Sequence, residues 1–236
     1  MKPILAVALL LFVSACSARG WDGRIETWGT MRAVMRDGAT EGRVSLVDAT
    51  RPAGTVGIGA LEGLMGEIAA VDGVCWIARV DGDELASERG ARAGDRATLL
   101  ATSTVHRWRT IALDRDVAAG ELDALLSAAA RDAGLGGRPW PFVIEGDFTH
   151  VAAHVLRGAC PSAGIVDPQH EPIRRSFARV RGRLIGFFAP DSAGELVHHG
   201  QSSHVHLLVE EPDVFVGHVD AAGVAGGALL RVPAVE

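Results

Sequence analysis

The feature that most restricts the fold of this chain is the alternation in His204-Val205-His206-Leu207-Leu208-Val209 and its continuation in Phe215-Val216-Gly217-His218. Successive side chains of a strand point to opposite faces, so His204 and His206 share one face, about 7 Å apart along the strand. The connecting Glu210-Glu211-Pro212-Asp213 is polar and contains a proline, which suits a turn. Paired positions in a hairpin sum to a constant. If Glu210 pairs with Val214, then His206 lies opposite His218 and all three imidazoles converge on one face. Three neutral imidazole nitrogens are a common protein contribution to an open, catalytic divalent-metal site. The plainer alternative is a surface hairpin that happens to carry histidines, of which the chain has nine.

With 236 residues and 48% hydrophobic content, the chain can build one substantial core or two small ones. Its net charge is −6 and no block of Lys or Arg stands out, so nucleic acid is not an expected partner. Met1-Lys2-Pro3 gives a minimal positive start, residues 4–13 are unbroken apolar, and Val13-Ser14-Ala15-Cys16 brings small residues up to a cysteine. Such a run is too short to span a bilayer as a stable helix and reads as a secretory signal. Its ending resembles a bacterial lipobox, in which Cys16 becomes the lipidated first residue. The expectation is an exported, periplasmic or cell-envelope protein, with residues 1–16 as signal and 17–27 as a tether. Cys75 and Cys160 then remain, and an oxidising compartment would allow them to pair. The competing reading for Cys75 is a core thiol, since Val74-Cys75-Trp76-Ile77 reads as a buried strand.

Along residues 28–236, taken as one domain, local signals alternate between short strands and turns. Residues 30–36 predict a helix with Met31, Val34 and Met35 on one side, capped by Thr30 and ended by Asp37-Gly38. Residues 68–71 and 74–80 flank Asp72-Gly73, a hairpin signal. Residues 81–95 are polar with three glycines and read as loop. Residues 116–134 give the clearest helix, with Leu122, Leu125, Leu126 and Ala129 at helical spacing. Strands are expected at 140–144 and 148–156 on either side of Glu145-Gly146-Asp147. A second hairpin is expected about Arg181-Gly182. Many short strands, two or so helices and no βαβ alternation predict an α+β fold with mixed and antiparallel sheets.

Three blocks resemble the bacterial alpha-acetolactate decarboxylase family. They are Gly57-Ile58-Gly59-Ala60-Leu61-Glu62-Gly63-Leu64-Met65-Gly66-Glu67 with Asp72-Gly73; Phe142-Val143-Ile144-Glu145-Gly146-Asp147-Phe148; and Gly182-Arg183-Leu184-Ile185-Gly186-Phe187-Phe188-Ala189-Pro190 with His204, His206 and Gly217-His218-Val219-Asp220. The resemblance implies that family's fold and a carboxy-lyase that turns 2-acetolactate, a small 2-hydroxy-3-keto acid, into acetoin. It implies His204, His206 and His218 as ligands of Zn2+ or another divalent metal, and Glu67 as a metal-site and catalytic carboxylate. Without it, Glu67 would be read as an exposed loop acid.

The sequence also departs from the family's pattern. Met65 stands where an aspartate is usual, and a Pro-rich tract is missing. An arginine expected shortly after the second block is replaced by His154, while Arg157, three residues on, faces the other side of a strand. A histidine can donate a proton but lacks the guanidinium fork for bidentate carboxylate binding. The family's C-terminal acid has only Glu236 as a counterpart. These departures keep two other readings open: a related metal-dependent lyase or hydrolase acting on another keto or hydroxy acid, and a non-catalytic zinc-binding envelope lipoprotein. Any membrane contact is expected through the anchor at Cys16 alone, and the oligomeric state is open, a homodimer included.

Overall fold

The structure, a computed structural model, describes residues 20–159 and 168–235. The expected signal with Cys16, the residue Cys160, most of the loop at 161–172, and Glu236 lie outside the described residues. Two antiparallel sheets carry the fold. The first contains β1 (Glu26–Trp28), β2 (Val44–Ser45), β3 (Thr55–Leu61), β4 (Gly66–Val71), β5 (Val74–Asp81), β6 (Glu84–Arg89) and β7 (Arg96–Thr104), ordered β1-β7-β3-β4-β5-β6 with β2 also on β7. The second contains β8 (Trp108–Ala112), β9 (Trp140–Val155), β10 (Ile173–Phe188), β11 (Ser203–Val209), β12 (Phe215–Val224) and β13 (Leu229–Pro233). Its order is β10-β11-β12-β9-β13-β8, and β10 pairs with β9 as well, so β9, β10, β11 and β12 close into a ring. The described helices are α1 (Met31–Asp37), α2 (Leu46–Thr50) and α3 (Leu122–Asp132), which makes the class α+β.

Local chemistry accounts for the elements nearest the site. Thr30 Oγ1 accepts a hydrogen bond from Ala33 N–H at 3.1 Å, and Gly38 closes α1 in the left-handed region at φ 62°. Met31 and Val34 are its buried face. Asp72 (φ 52°) and Gly73 (φ 80°) make the tight β4–β5 turn, which requires positive φ at both central residues. The third helix starts at Leu122 rather than 116, because Val117 is held in an antiparallel bridge to Val224 and Gly120 turns the chain at φ 95°. It buries Leu126, Ala129 and Ala130, in keeping with the stripe.

Several expectations needed correction. Neither Gly146 nor Gly182 breaks a strand. They face each other in the middle of two continuous 16-residue strands, β9 and β10. A Cβ on Gly182 would come 2.4 Å from the Leu208 carbonyl oxygen, so glycine is there for close approach and not for a turn. The loop expected at 81–95 contains strand β6, whose polar sequence reflects its position at the sheet's edge. The tether expected at 17–27 is, in its described part, tied to the fold at Trp21 and at the strand that begins with Glu26, while Asp22 and Arg24 stay exposed. Trp21 is 4% exposed, its backbone N–H reaches Ala234 O at 2.7 Å, its indole N–H reaches Ser103 Oγ at 2.8 Å, and Glu26 and Thr27 pair with β7. One buried aromatic outweighs a polar neighbourhood. Cys75 is a free, buried thiol pushed up to about 12 by burial, as the core-strand reading had it, and no disulfide forms there. Among the described residues no helix is long and apolar enough to cross a membrane.

Candidate metal centre

The registers of the ring assemble the site. His206 of β11 lies opposite His218 of β12, His218 lies opposite His154 of β9, and His154 lies opposite Arg174 of β10. Directly opposed residues project from the same face of a sheet, so Arg174, His154, His218 and His206 form a row across four strands. His204, two residues before His206, joins them by the period of the strand. The hairpin register read from the sequence therefore holds, with Val209 opposite Phe215 as its last pair before the turn.

One potential ligand atom from each of His204, His206 and His218 lies within 4.8 Å of the other two. Two of these rings are anchored from behind. His204 Nδ1 donates to Leu196 O at 3.0 Å, and His206 Nδ1 donates to Ile68 O on β4 at 2.9 Å. A carbonyl oxygen only accepts, so each neutral ring carries its proton on Nδ1 and leaves Nε2 bare. Those two Nε2 atoms stand 3.3 Å apart, and Glu67 Oε2 lies 3.5 Å from His206 Nε2. Burial, followed by the field of His198, holds His204 down to about 3. His206 and His218 are pushed well below the ordinary histidine value, by burial first and then by neighbouring rings. Glu67 is 2% exposed, and burial pushes its carboxyl well above the usual range although Leu156 N–H donates to Oε1 at 3.2 Å. Bare, inward-facing nitrogen lone pairs beside a carboxyl group, in a place where burial disfavours an imidazolium and leaves the carboxylate in want of a positive partner, make a donor set that fits a divalent cation. The backbone carbonyls behind His204 and His206 fix ring orientation in the way expected around metal-bound imidazoles.

The other expected residues divide. His154 does reach the site: its Nδ1 contacts Asp220 Oδ1 at 2.9 Å, and its ring centroid is 4.8 Å from that of His218. Arg157 does not, and pairs with Asp83 at 2.6 Å. Three further side chains, to which the sequence assigns no role, line the same cavity of about 260 Å³: Arg174, Asp220 and His198. Asp220 was reachable by alternation, two residues beyond His218. Arg174 had no local signal, since only the β9–β10 register brings it in. His198 comes from the segment between β10 and β11, with its ring 5.9 Å from that of His204 and 5.4 Å from that of His218. Met31, Val34, Leu99 and Leu156 give the cavity an apolar side.

Fold and site together define a two-sheet α+β protein with a buried three-histidine cavity that could hold a metal ion. The chain belongs to the alpha-acetolactate decarboxylase family, whose pattern it matches over residues 27–230. Solved structures agree on the fold. Acetolactate decarboxylase from Bacillus subtilis subspecies spizizenii superposes with a TM-score of 0.68 at 19% identity, covering 89% of this chain and 85% of that one. Alpha-acetolactate decarboxylase from Bacillus subtilis strain 168 gives 0.66 at 19% identity with the same coverages. A Staphylococcus aureus protein of unknown function, described as similar to alpha-acetolactate decarboxylase, gives 0.63 at 17% identity over 88% and 84%. No curated protein matches the chain.

Proposed function

We propose that this protein decarboxylates 2-acetolactate to acetoin, with a zinc ion held by His204, His206 and His218 and with Glu67 beside them. The observation that carries the proposal is the pair of bare Nε2 atoms, 3.3 Å apart and next to a buried carboxylate, in a member of this family. When bound, the ion supplies Lewis acidity to the oxygen on which negative charge develops. The reaction breaks the bond between the hydroxyl-bearing carbon and the carboxylate. Carbon dioxide leaves, the electron pair passes into the adjacent ketone, and the resulting enediolate takes a proton at carbon.

The chain's own residues do the rest. Leu196 and Ile68 carbonyls hold His204 and His206 in one tautomer, so their donor atoms need no reorganisation. Glu67, dry and anchored by Leu156 N–H, exchanges the substrate's hydroxyl proton. His154 is fixed through Nδ1 by Asp220, which leaves Nε2 for the proton delivered to carbon. Met31, Val34, Leu99 and Leu156 face the substrate's methyl groups and keep water out. The apolar run before Cys16 supports an exported, lipid-anchored enzyme as the setting. The test is acetoin formation from racemic 2-acetolactate by purified, zinc-supplemented protein, with a chelator as control. Acetoin no faster than the spontaneous rate would defeat the proposal.

A further inference from the structure

Among the described residues that line the cavity, Arg174 is the single guanidinium. Its place follows from backbone register: it is directly opposite His154, one strand further from the histidine trio. With strands about 4.8 Å apart, its Cα stands about 10 Å from that of His218, two strand spacings away. That span, with His154 between its ends and a cavity of about 260 Å³ beside it, is on the scale of a small organic acid and not of an extended ligand.

The partners of Arg174 leave it available. Asp220 divides its two oxygens, Oδ1 to His154 Nδ1 at 2.9 Å and Oδ2 to Arg174 Nη1 at 3.3 Å. One long contact engages one of five guanidinium N–H donors. The side chain is 63% exposed and so stands at the cavity mouth, where an incoming anion meets it first. The same Asp220 contact restrains the guanidinium, which limits the rotamer freedom lost on binding.

We propose that Arg174 binds the carboxylate of the substrate, placing a 2-hydroxy or 2-keto acid with its acid group at the β10 side and its hydroxyl and carbonyl oxygens toward His204, His206 and His218. The inference deepens the proposed function and rests on it for the particular acid. The cation has moved to the strand beside the one that carries His154. In three dimensions Arg174 supplies the bidentate fork that His154 lacks.

The test uses an unreactive pair of probes, 2-hydroxy-2-methylpropanoate and its amide 2-hydroxy-2-methylpropanamide, which differ only in the acid group. Their binding to the zinc-supplemented protein is measured by calorimetry. A charge-assisted, forked contact predicts about 10-fold to 100-fold preference for the acid in the wild type. Arg174→Gln is expected to lose that preference while binding the amide as before, which also shows that the cavity is intact. Arg174→Lys, a point charge without the fork, is expected to recover part of it. A wild type without preference, or an Arg174→Gln variant that keeps it, overturns the proposal. So does loss of the preference in His154→Gln but not in Arg174→Gln. Because neither probe turns over, a protein that forms no acetoin but shows this pattern fails as an acetolactate decarboxylase and keeps Arg174 as its carboxylate clamp. Acetoin formation without the pattern upholds the decarboxylase and removes Arg174 as its clamp.

Discussion

Replacing His206 by alanine separates metal holding from mere packing, because the two roles move different quantities. The side chain is 1% exposed and donates to Ile68 O at 2.9 Å. Its removal costs a hydrogen bond and opens a cavity, together about 2–3 kcal/mol in chelator. For a chain of this length that lowers Tm by about 4–12 °C, at about 2–4 °C per kcal/mol. Zinc adds a second, independent term. On the proposed zinc site, a free concentration about 1,000 times Kd is expected to stabilise the wild type by about 4.1 kcal/mol, which is about 8–16 °C. Losing one of three ligands weakens binding by about 100-fold, the upper end of what even an outer partner of a ligand costs. The zinc-dependent gain then falls to about 1.4 kcal/mol, or about 3–6 °C. The assay is differential scanning calorimetry of both proteins in chelator and in buffered zinc. Equal zinc-dependent rises in the two proteins would refute the reasoning, whatever the difference in chelator. So would a wild type whose melting does not respond to zinc.

Glu67→Gln keeps an oxygen for Leu156 N–H but loses the exchangeable proton. Acetoin formation is expected to fall about 100-fold or more while zinc stays bound, as measured by initial rates and metal analysis. Equal activity would remove Glu67 from the mechanism. Gly182→Ala puts a Cβ against Leu208 O and is expected to cost about 1–3 kcal/mol in denaturant unfolding; a neutral substitution there would return Gly182 to a turn. Cys75, buried and pushed up to about 12, stays unalkylated by iodoacetamide at pH 8 in native protein and reacts once denaturant is added, as peptide mass mapping will read.

What the sequence made legible was local or periodic. The trio followed from a two-residue period and one short turn. The cap at Thr30 and the Asp72-Gly73 hairpin followed from residues whose backbone preferences act within four positions. Gly146 and Gly182 misled because a glycine that admits a neighbouring strand looks, in one dimension, the same as one that turns the chain. Strand β6 was hidden by its edge position, where charged side chains belong and no apolar alternation is needed. Arg174 was invisible for another reason. It enters the site through pairing between distant strands, and nothing near position 174 records what lies opposite.

The row through the site has a geometric consequence. Followed from Arg174 through His154, His218 and His206, it reaches Ile185, back on β10 and eleven residues further along. The four registers are thus terms of one closed circuit. In an open sheet an end strand can slip by two residues and still present the same face. Here such a slip leaves a mismatch that another pairing must absorb. The separation between the guanidinium and the trio is consequently set by a fixed sum around the loop, not by any single hairpin. The two shifts in the β12–β9 pairing, between Val219 and Ala221 and between Ala221 and Gly223, cancel, so Gly223 opposite Thr149 is back in the register of His218 opposite His154. Both fall past His218, outside the row, so the irregularity bends the far end of β12 and leaves the circuit through the three imidazoles and Arg174 unchanged.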